Sequence, residues 1–340
     1  MPKTAEIVAG RPHPVRTTGV AGELAVRAAG LTKLYRHPWT LRVTRGVEDL
    51  DLEVRRGEVM GYLGRNGAGK TTTLKLLTGL HKPTRGGAWI FGESVETVTS
   101  RQRLGFLPEQ PYFYDYLTGR ETLEFAARLN GLGAAEARTS ARHWLGRVGI
   151  ADAENRRVRR YSKGMLQRLG LAAALIHEPD LLILDEPMSG LDPLGRRDVR
   201  DLLLEQRARG VTVLFSSHIL PDVETLCDRV AIVHAGRLVR VEHVGEMSGL
   251  RSQRVEIRCE GGVLPAAPPA LAPALTRIEH PGEATLVLED GDRLGEALGW
   301  LLGAGVRIRA VSPQRVSLEE IYVETTREAA DESGAGRRSA

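Results

Sequence analysis

"GEVMGYLGRNGAGKTTTLKLLTGL", Gly57 to Leu80, is the stretch that decides how the rest of the chain is read. A β-type run ends near Leu63, a glycine-rich turn follows, and a helical run opens at Lys70. Inside it, "GRNGAGKT" (Gly64–Thr71) fits G-x-x-x-x-G-K-[ST], set after a strand and at the start of a helix, where that pattern cradles phosphate. Gly64, Gly67 and Gly69 let the backbone curl, so that successive N–H groups through Arg65, Asn66, Ala68 and on to Thr72 converge on phosphate oxygens. In that pattern Lys70 is expected to reach the β- and γ-phosphates, and the Thr71 hydroxyl can bind Mg²⁺. A glycine-rich turn into a helix accounts for the glycines. It does not account for a lysine in the first turn, against the helix dipole, followed at once by a hydroxyl.

Two further strand ends carry chemistry. "DLLILDEP" (Asp180–Pro187) is a continuous apolar run ending in acids, as a buried parallel strand reads. Asp185 can hold Mg²⁺, partly through water. Glu186 can orient and deprotonate an attacking water. "GVTVLFSSH" (Gly210–His218) is another such strand, and His218 at its end is placed for a γ-phosphate contact. Alternating strands and helices predict an α/β fold with a mostly parallel sheet.

Composition sets the limits. The 340 residues suffice for one large domain and a small one. With 47 Lys and Arg against 43 Asp and Glu the net charge is +4, which permits an anionic partner without requiring one. Cys227 and Cys259 are the two cysteines and form no C-x-x-C pair, so neither a disulfide framework nor a zinc site is expected. No run approaches the 18 or so apolar residues of a membrane span. "MPKTAEIVAGRPHPVRTTGV" has no apolar core of a secretory signal, so a cytoplasmic protein is expected.

The texture of the chain divides it. Residues 1–21 read as a flexible tail and 22–245 as the nucleotide-binding domain. Residues 110–176, mainly helical, read as an insertion into that domain. "DRVAIVHAGRLV" reads as a hairpin closed by Ala235-Gly236. Residues 246–327 read as a small accessory α/β domain, with strands in "VEIRCE", "ATLVLED" and "VRIRAVS" and a helix in "RLGEALGWLLGAG"; residues 328–340 read as a disordered tail.

"RRVRRYSKGMLQRLGLAAALI" (Arg156–Ile176) raises a different question. Leu166, Leu169, Ala173 and Ile176 have helical spacing and Ser162 is a good N-cap, yet Lys163 and Gly164 occupy the first turn with four arginines upstream. Cations are unfavourable there, and Gly costs up to about 1 kcal/mol relative to Ala. Either an anion sits at this terminus, or it is a solvated basic loop before an ordinary helix.

Taken in order, the motif Gly64–Thr71, "YSKGMLQR" (Tyr161–Arg168), "LLILDEP" (Leu181–Pro187), "SGLD" (Ser189–Asp192) and "SSH" (Ser216–His218) resemble the nucleotide-binding subunits of ABC transporters over roughly Leu24 to Val244. The resemblance implies a P-loop ATPase core with an inserted helical subdomain. It implies ATP with Mg²⁺ held in a head-to-tail dimer, each nucleotide lying between one P-loop and the partner's signature helix. Ser162 and Gly164 would then meet the γ-phosphate bound by the other copy, and Asp192 would lie on the dimer seam. Tyr35 resembles the residue that stacks on adenine, with Trp39 as its rival. Lys163 and Met165 replace a Gly and a Gln of the usual Leu-Ser-Gly-Gly-Gln. In "GFLPEQPYFYDYLT" the residue after Pro108, usually Gln in this family, is Glu109, with Gln110 next; by the resemblance either could sense Mg²⁺.

These variants, with "DEPMSGLDPLGRR" and "SLEEIYVE" (Ser317–Glu324), are similar to the ABC-2 subgroup of exporter ATPases, whose permease is a separate polypeptide. The resemblance implies a protein held on the inner face of the membrane through that permease. Four of the sixteen aromatic residues lie in Tyr112–Tyr116, either to grip a cytoplasmic helix of the permease or to pack the helical insertion. The other reading is a soluble ABC ATPase acting on nucleic acid or ribosomes. The segment from Thr71 to Ser162 has no sustained heptads and the chain has one P-loop, so no nucleic-acid partner is expected.

Overall fold

In the computed structural model, which describes residues 24–36, 39–40, 42–247, 254–261, 264–280, 282–314, 318–319, 322–323 and 325, most of these segments take the expected form. The tails at 1–21 and 328–340 lie outside the described residues, as do Ser317, Glu320, Ile321 and Glu324. The chain divides into two compact units. One takes the residues up to His218 together with Val233–Leu238; the other takes Ile219–Ile232 and the residues from Val239 on.

In the first unit, β1 (Leu24–Arg36) and β2 (Val43–Arg55) precede β3 (Val59–Leu63), which leads through the glycine turn into α1 (Lys70–Leu77). Next come β4 (Arg85–Ile90), β5 (Glu93–Ser94), α2 (Val98–Arg101) and β6 (Leu104–Leu107). The helices α3 (Gly119–Leu129), α4 (Ala134–Arg147) and α5 (Lys163–Leu175) follow, then β7 (Leu181–Asp185), α6 (Pro193–Ala208) and β8 (Thr212–Ser217). Strands β3, β8, β7 and β6 lie side by side and parallel, with Leu63 opposite Ser217, Asp185 opposite Ser216 and Leu107 opposite Leu184. Every residue of β3, β7 and β8 is buried, because a parallel sheet is covered on both faces. That register brings the ends of four strands, and the loops after them, to one edge of the sheet.

A second sheet, β2-β1-β4-β5, is antiparallel. Its long strands β1 and β2 carry several register shifts, which blur the two-residue alternation by which a half-buried strand is read.

The second unit holds α7 (Leu220–Leu226), most of the hairpin β9 (Arg229–His234) and β10 (Arg237–His243), and α8 (Val244–Met247). The hairpin closes at Ala235 and Gly236 with φ of 47° and 84°, the left-handed pair of a tight type I′ turn. Beyond it lie β11 (Arg254–Glu260), β12 (Leu275–His280), β13 (Glu283–Leu288), α9 (Leu294–Gly303) and β14 (Ile308–Gln314). The sheet they form, β12-β13-β11-β14, is antiparallel throughout. Its core is its own: Val255, Ile257, Cys259, Leu264, Leu271, Ala284, Leu286 and Leu288 pack with Ala297 and Leu301 of α9. No helix among the described residues is long and apolar enough to cross a membrane.

Candidate ATP site

The glycine turn is tied down before it meets any ligand. Gly69 is the N-cap of α1 at φ 99°, a left-handed conformation suited to glycine. A Cβ there would also collide with Gly46 O. Gly236 presses on the same carbonyl, and its N–H donates to Ala68 O at 3.0 Å. Unlike Thr118, whose hydroxyl accepts from Glu121 in a capping box on α3, Gly69 offers no side chain to the first turn of α1. The first-turn N–H groups of Lys70, Thr71 and Thr72 therefore have no cap acceptor. That is how a helix presents itself to phosphate.

Lys70 is buried, and its ammonium donates to Gly64 O at 2.7 Å and pairs with Glu186 Oε1 at 3.2 Å. The other carboxylate oxygen, Oε2, lies 2.9 Å from His218 Nδ1. An ionised carboxylate only accepts, so Nδ1 is the donor in that pair. Asp185, one residue earlier and buried, accepts from Ser216 Oγ at 2.6 Å. Ser216 Oγ in turn accepts from Glu186 N at 2.9 Å. One buried hydroxyl thus fixes the spacing of both acids. Glu186 has φ 50°, outside the conformations a glutamate favours, and this turns its side chain back toward Lys70 and His218. Lys70, Asp185, Glu186 and His218, gathered from two strand ends and a helix start, form one cluster.

Ser162 and Gly164 form another. Ser162 caps α5, its Oγ accepting from Met165 N at 3.2 Å, and no acidic residue enters the first turn. The Lys163 stem lies along Gly190, where a Cβ would come within 2.8 Å of Lys163 Cδ and Cε. A Cβ on Gly164 would meet Leu191 Cδ2 at 3.4 Å, an ordinary contact. Asp192 is the N-cap of α6, its Oδ1 accepting from Gly195 N at 2.9 Å. Arg65, Asn66, Gly67 and Ser162 are exposed.

Tyr35 stands beside the glycine turn: a Cβ on Gly46 would strike its ring on one side and Thr72 Cγ2 on the other. The Tyr35 hydroxyl lies 3.1 Å from His81 Nδ1, whose pKa is held down by burial and by Lys75 and Lys33. Trp39 is 89% exposed. Glu109 and Gln110 are both exposed and follow β6 at the sheet end that carries Asp185. Three residues to which the sequence assigned no role also shape the site: Gly46, and Ser216 and Gln167 from within the quoted motifs. Gln167 offered a signal, a polar side chain among apolar positions of a buried helix.

The family described as ABC transporter matches residues 47–189. An ABC transporter ATP-binding protein of Nostoc is 40% identical over 301 residues, covering 88% of each chain. The daunorubicin/doxorubicin resistance ATP-binding protein DrrA of Streptomyces peucetius is 34% identical over 318 residues, 91% of this chain and 94% of that one. The bacitracin transport ATP-binding protein BcrA of Bacillus licheniformis is 42% identical over 217 residues, 63% of this chain and 68% of that one. Among solved structures, an ATP-binding subunit of an ABC transporter superposes with a TM-score of 0.59 at 33% identity, over 66% of this chain and 91% of that one. A dimeric ATP-binding cassette bound to ADP and Pi superposes with a TM-score of 0.61 at 23% identity, over 64% of this chain and 98% of that one, a likeness of fold. With a P-loop, two acids and a histidine assembled at one sheet edge and relatives matched nearly end to end, the chain belongs to the ATP-binding proteins of ABC transporters and is an ATPase of that family.

Proposed function

We propose that the chain is the motor subunit of an exporter, binding ATP between two head-to-tail copies and driving a separate permease of the ABC-2 type. The observation that carries the catalytic part is the Lys70–Glu186–His218 cluster beside an uncapped helix start. The triphosphate would lie on the N–H groups of Arg65 to Thr72, with Lys70 on its β- and γ-oxygens. Thr71 and Asp185 offer Mg²⁺ hard oxygen donors, which suits an ion that keeps several waters and completes its shell on phosphate. Bound there, the ion would neutralise charge on the phosphates. Glu186 takes the proton of the attacking water as the water oxygen bonds to γ-phosphorus and the bond from γ-phosphorus to the bridging oxygen breaks. The proton passes on to the released phosphate. His218 steadies Glu186 and contacts the γ-phosphate, and Gln110 or Glu109 senses the metal.

The dimer reading draws on Ser162 and Gly164 at an α5 terminus without acids, on Asp192 at the adjoining loop, and on the dimeric cassette of like fold. Tyr35, beside Thr72, is the adenine platform. Export draws on the relatives DrrA and BcrA, named for drug resistance and bacitracin transport. For the permease contact we take Tyr112, Tyr114 and Tyr116, all exposed. Their segment is hydrogen-bonded alongside the arginine-rich one, Arg159 N to Asp115 O and Val158 N to Leu117 O. That contact would hold the chain at the inner face of the membrane. We take residues 22–245 as the motor and 246–327 as an accessory domain; the separate core of the C-terminal sheet supports the second, while α7 and most of the β9–β10 hairpin group with that unit.

The test is ATP hydrolysis by the full chain, alone and reconstituted in vesicles with a candidate ABC-2 type membrane protein. We expect turnover that the membrane protein stimulates and that Lys70→Ala abolishes. Undiminished hydrolysis by the variant would remove the phosphate assignment, and failure to co-purify would remove the permease.

A further inference from the structure

Gln167 is a polar side chain in the middle of α5, 2% exposed, with an amide that does one specific thing. Its Nε2 donates to Glu186 O and to Pro187 O, each at 3.1 Å. Two successive carbonyls held by one amide fix the plane of the peptide between them. The amide cannot reverse, because its oxygen would then face two acceptors. On the other side of Glu186, its N–H is held by Ser216 Oγ at 2.9 Å. The left-handed φ of 50° at Glu186 is thus pinned at both ends by buried side chains, one from α5 and one from β8. An L-residue other than Asn or Asp seldom keeps that conformation without such support.

The helix that supplies Gln167 is the one that Ser162 caps, about one and a half turns upstream. We propose that Gln167 is a positioning residue that makes the aim of the Glu186 carboxylate depend on the placement of α5. The coupling half of this inference rests on the head-to-tail reading. In that dimer, Ser162 meets the triphosphate held by the partner, whereas Glu186 acts on the triphosphate held by its own P-loop. A shift of α5 toward one nucleotide then moves the peptide that carries the base for the other. Gln167 is the link between the two ATP sites. Ser216 steadies the same base but belongs to β8, so it has no part in the link.

The experiment uses Gln167→Met, which keeps length and bulk and removes both donors, with Ser216→Ala beside it. Full-length proteins are compared for binding of a fluorescent ATP analogue, for kcat and for the Hill coefficient in ATP. For Gln167→Met we expect nucleotide affinity within about twofold of wild type, kcat down by roughly 10–10² as for a base held out of line, and a Hill coefficient falling from above 1 toward 1. For Ser216→Ala we expect lower kcat with the wild-type Hill coefficient. A folded Gln167→Met protein that keeps wild-type kcat, or loses kcat while keeping its cooperativity, overturns the proposal. Should Gln167→Met not fold, Gln167→Asn, whose amide is a methylene too short, carries the same readouts. Sedimentation of Glu186→Gln with ATP separates the two failures: a monomer there sinks the dimer reading, whereas kcat of Gln167→Met still judges the positioning of Glu186.

Discussion

At Gly69 three demands meet in one residue: a left-handed φ of 99°, close approach to Gly46 O, and no side chain over the first turn of α1. Alanine fails the first two. A strained, overcrowded backbone position costs on the order of 1–3 kcal/mol, and here the strain would fall on the phosphate loop itself. Gly69→Ala should therefore lower the thermal midpoint by several degrees and weaken ATP binding by more than its loss of stability explains. Calorimetric unfolding and titration with ATP, on the same preparation, check this. Gly67, also at positive φ (82°), has open space where its Cβ would go, so Gly67→Ala should be milder. The phosphate loop and the two acids were legible in the sequence because their chemistry lies in adjacent residues. Gln167 and Ser216 were not: their partners stand 19 and 30 positions away, and the register of β7 against β8 and the docking of α5 bring them together.

The Ser162 hydroxyl at the start of α5 has one observed use, as an N-cap, and one proposed use, at a phosphate, and the two can be pulled apart. Ser162 Oγ accepts from Met165 N, leaving its own proton free to donate to a phosphate. Ser162→Ala loses the cap, about 1 kcal/mol of stability, and the proposed phosphate contact with it. Ser162→Asp keeps an acceptor for Met165 N, and by the helix dipole it stabilises α5, yet sets a negative charge against phosphate. We expect Ser162→Asp to melt at or above the wild-type temperature while hydrolysing no ATP; an active Ser162→Asp would return this terminus to a plain N-cap. Helix α3 allows a pH test. Bonds from the Thr118 backbone and hydroxyl hold the Glu121 carboxyl below its ordinary value of 4.5. Its share of stability is thus full above that ordinary value and drains away as pH falls through the lowered one. Unfolding midpoints between pH 6 and pH 3 should converge for wild type and Glu121→Gln at the acid end. Among elements, β3, β7, β8, the hairpin and α9 were legible as apolar runs or periodic faces. The antiparallel pairing of β1, β2 and β4 was not, because their bulges break the alternation, and β12 was hidden by the Pro- and Ala-rich stretch before it.

For the whole molecule, the claim with the widest consequences is that a working site takes two chains, and Gly164 tests it most directly. Within one chain nothing close demands glycine there: the residue has an ordinary helical backbone, and a Cβ would rest 3.4 Å from Leu191 Cδ2. Gly in a first turn even costs stability relative to Ala, so Gly164→Ala should be no less stable than wild type. If the absent side chain makes room for a partner's phosphate, a larger residue should leave folding and ATP binding by the single chain intact and prevent closure of the pair. Glu186→Gln supplies the background in which to see it: if Glu186 is the base proposed above, its loss should slow turnover by about 10²–10⁴-fold and let ATP-bound pairs accumulate. Sedimentation velocity with ATP and Mg²⁺ should then report a dimer for Glu186→Gln and a monomer for Gly164→Leu in the same background, at equal nucleotide occupancy. A double variant that still pairs would mean that α5 meets no phosphate across the seam. The basic, acid-free helix start would then be a solvated terminus, and each chain would have to complete its ATP site alone.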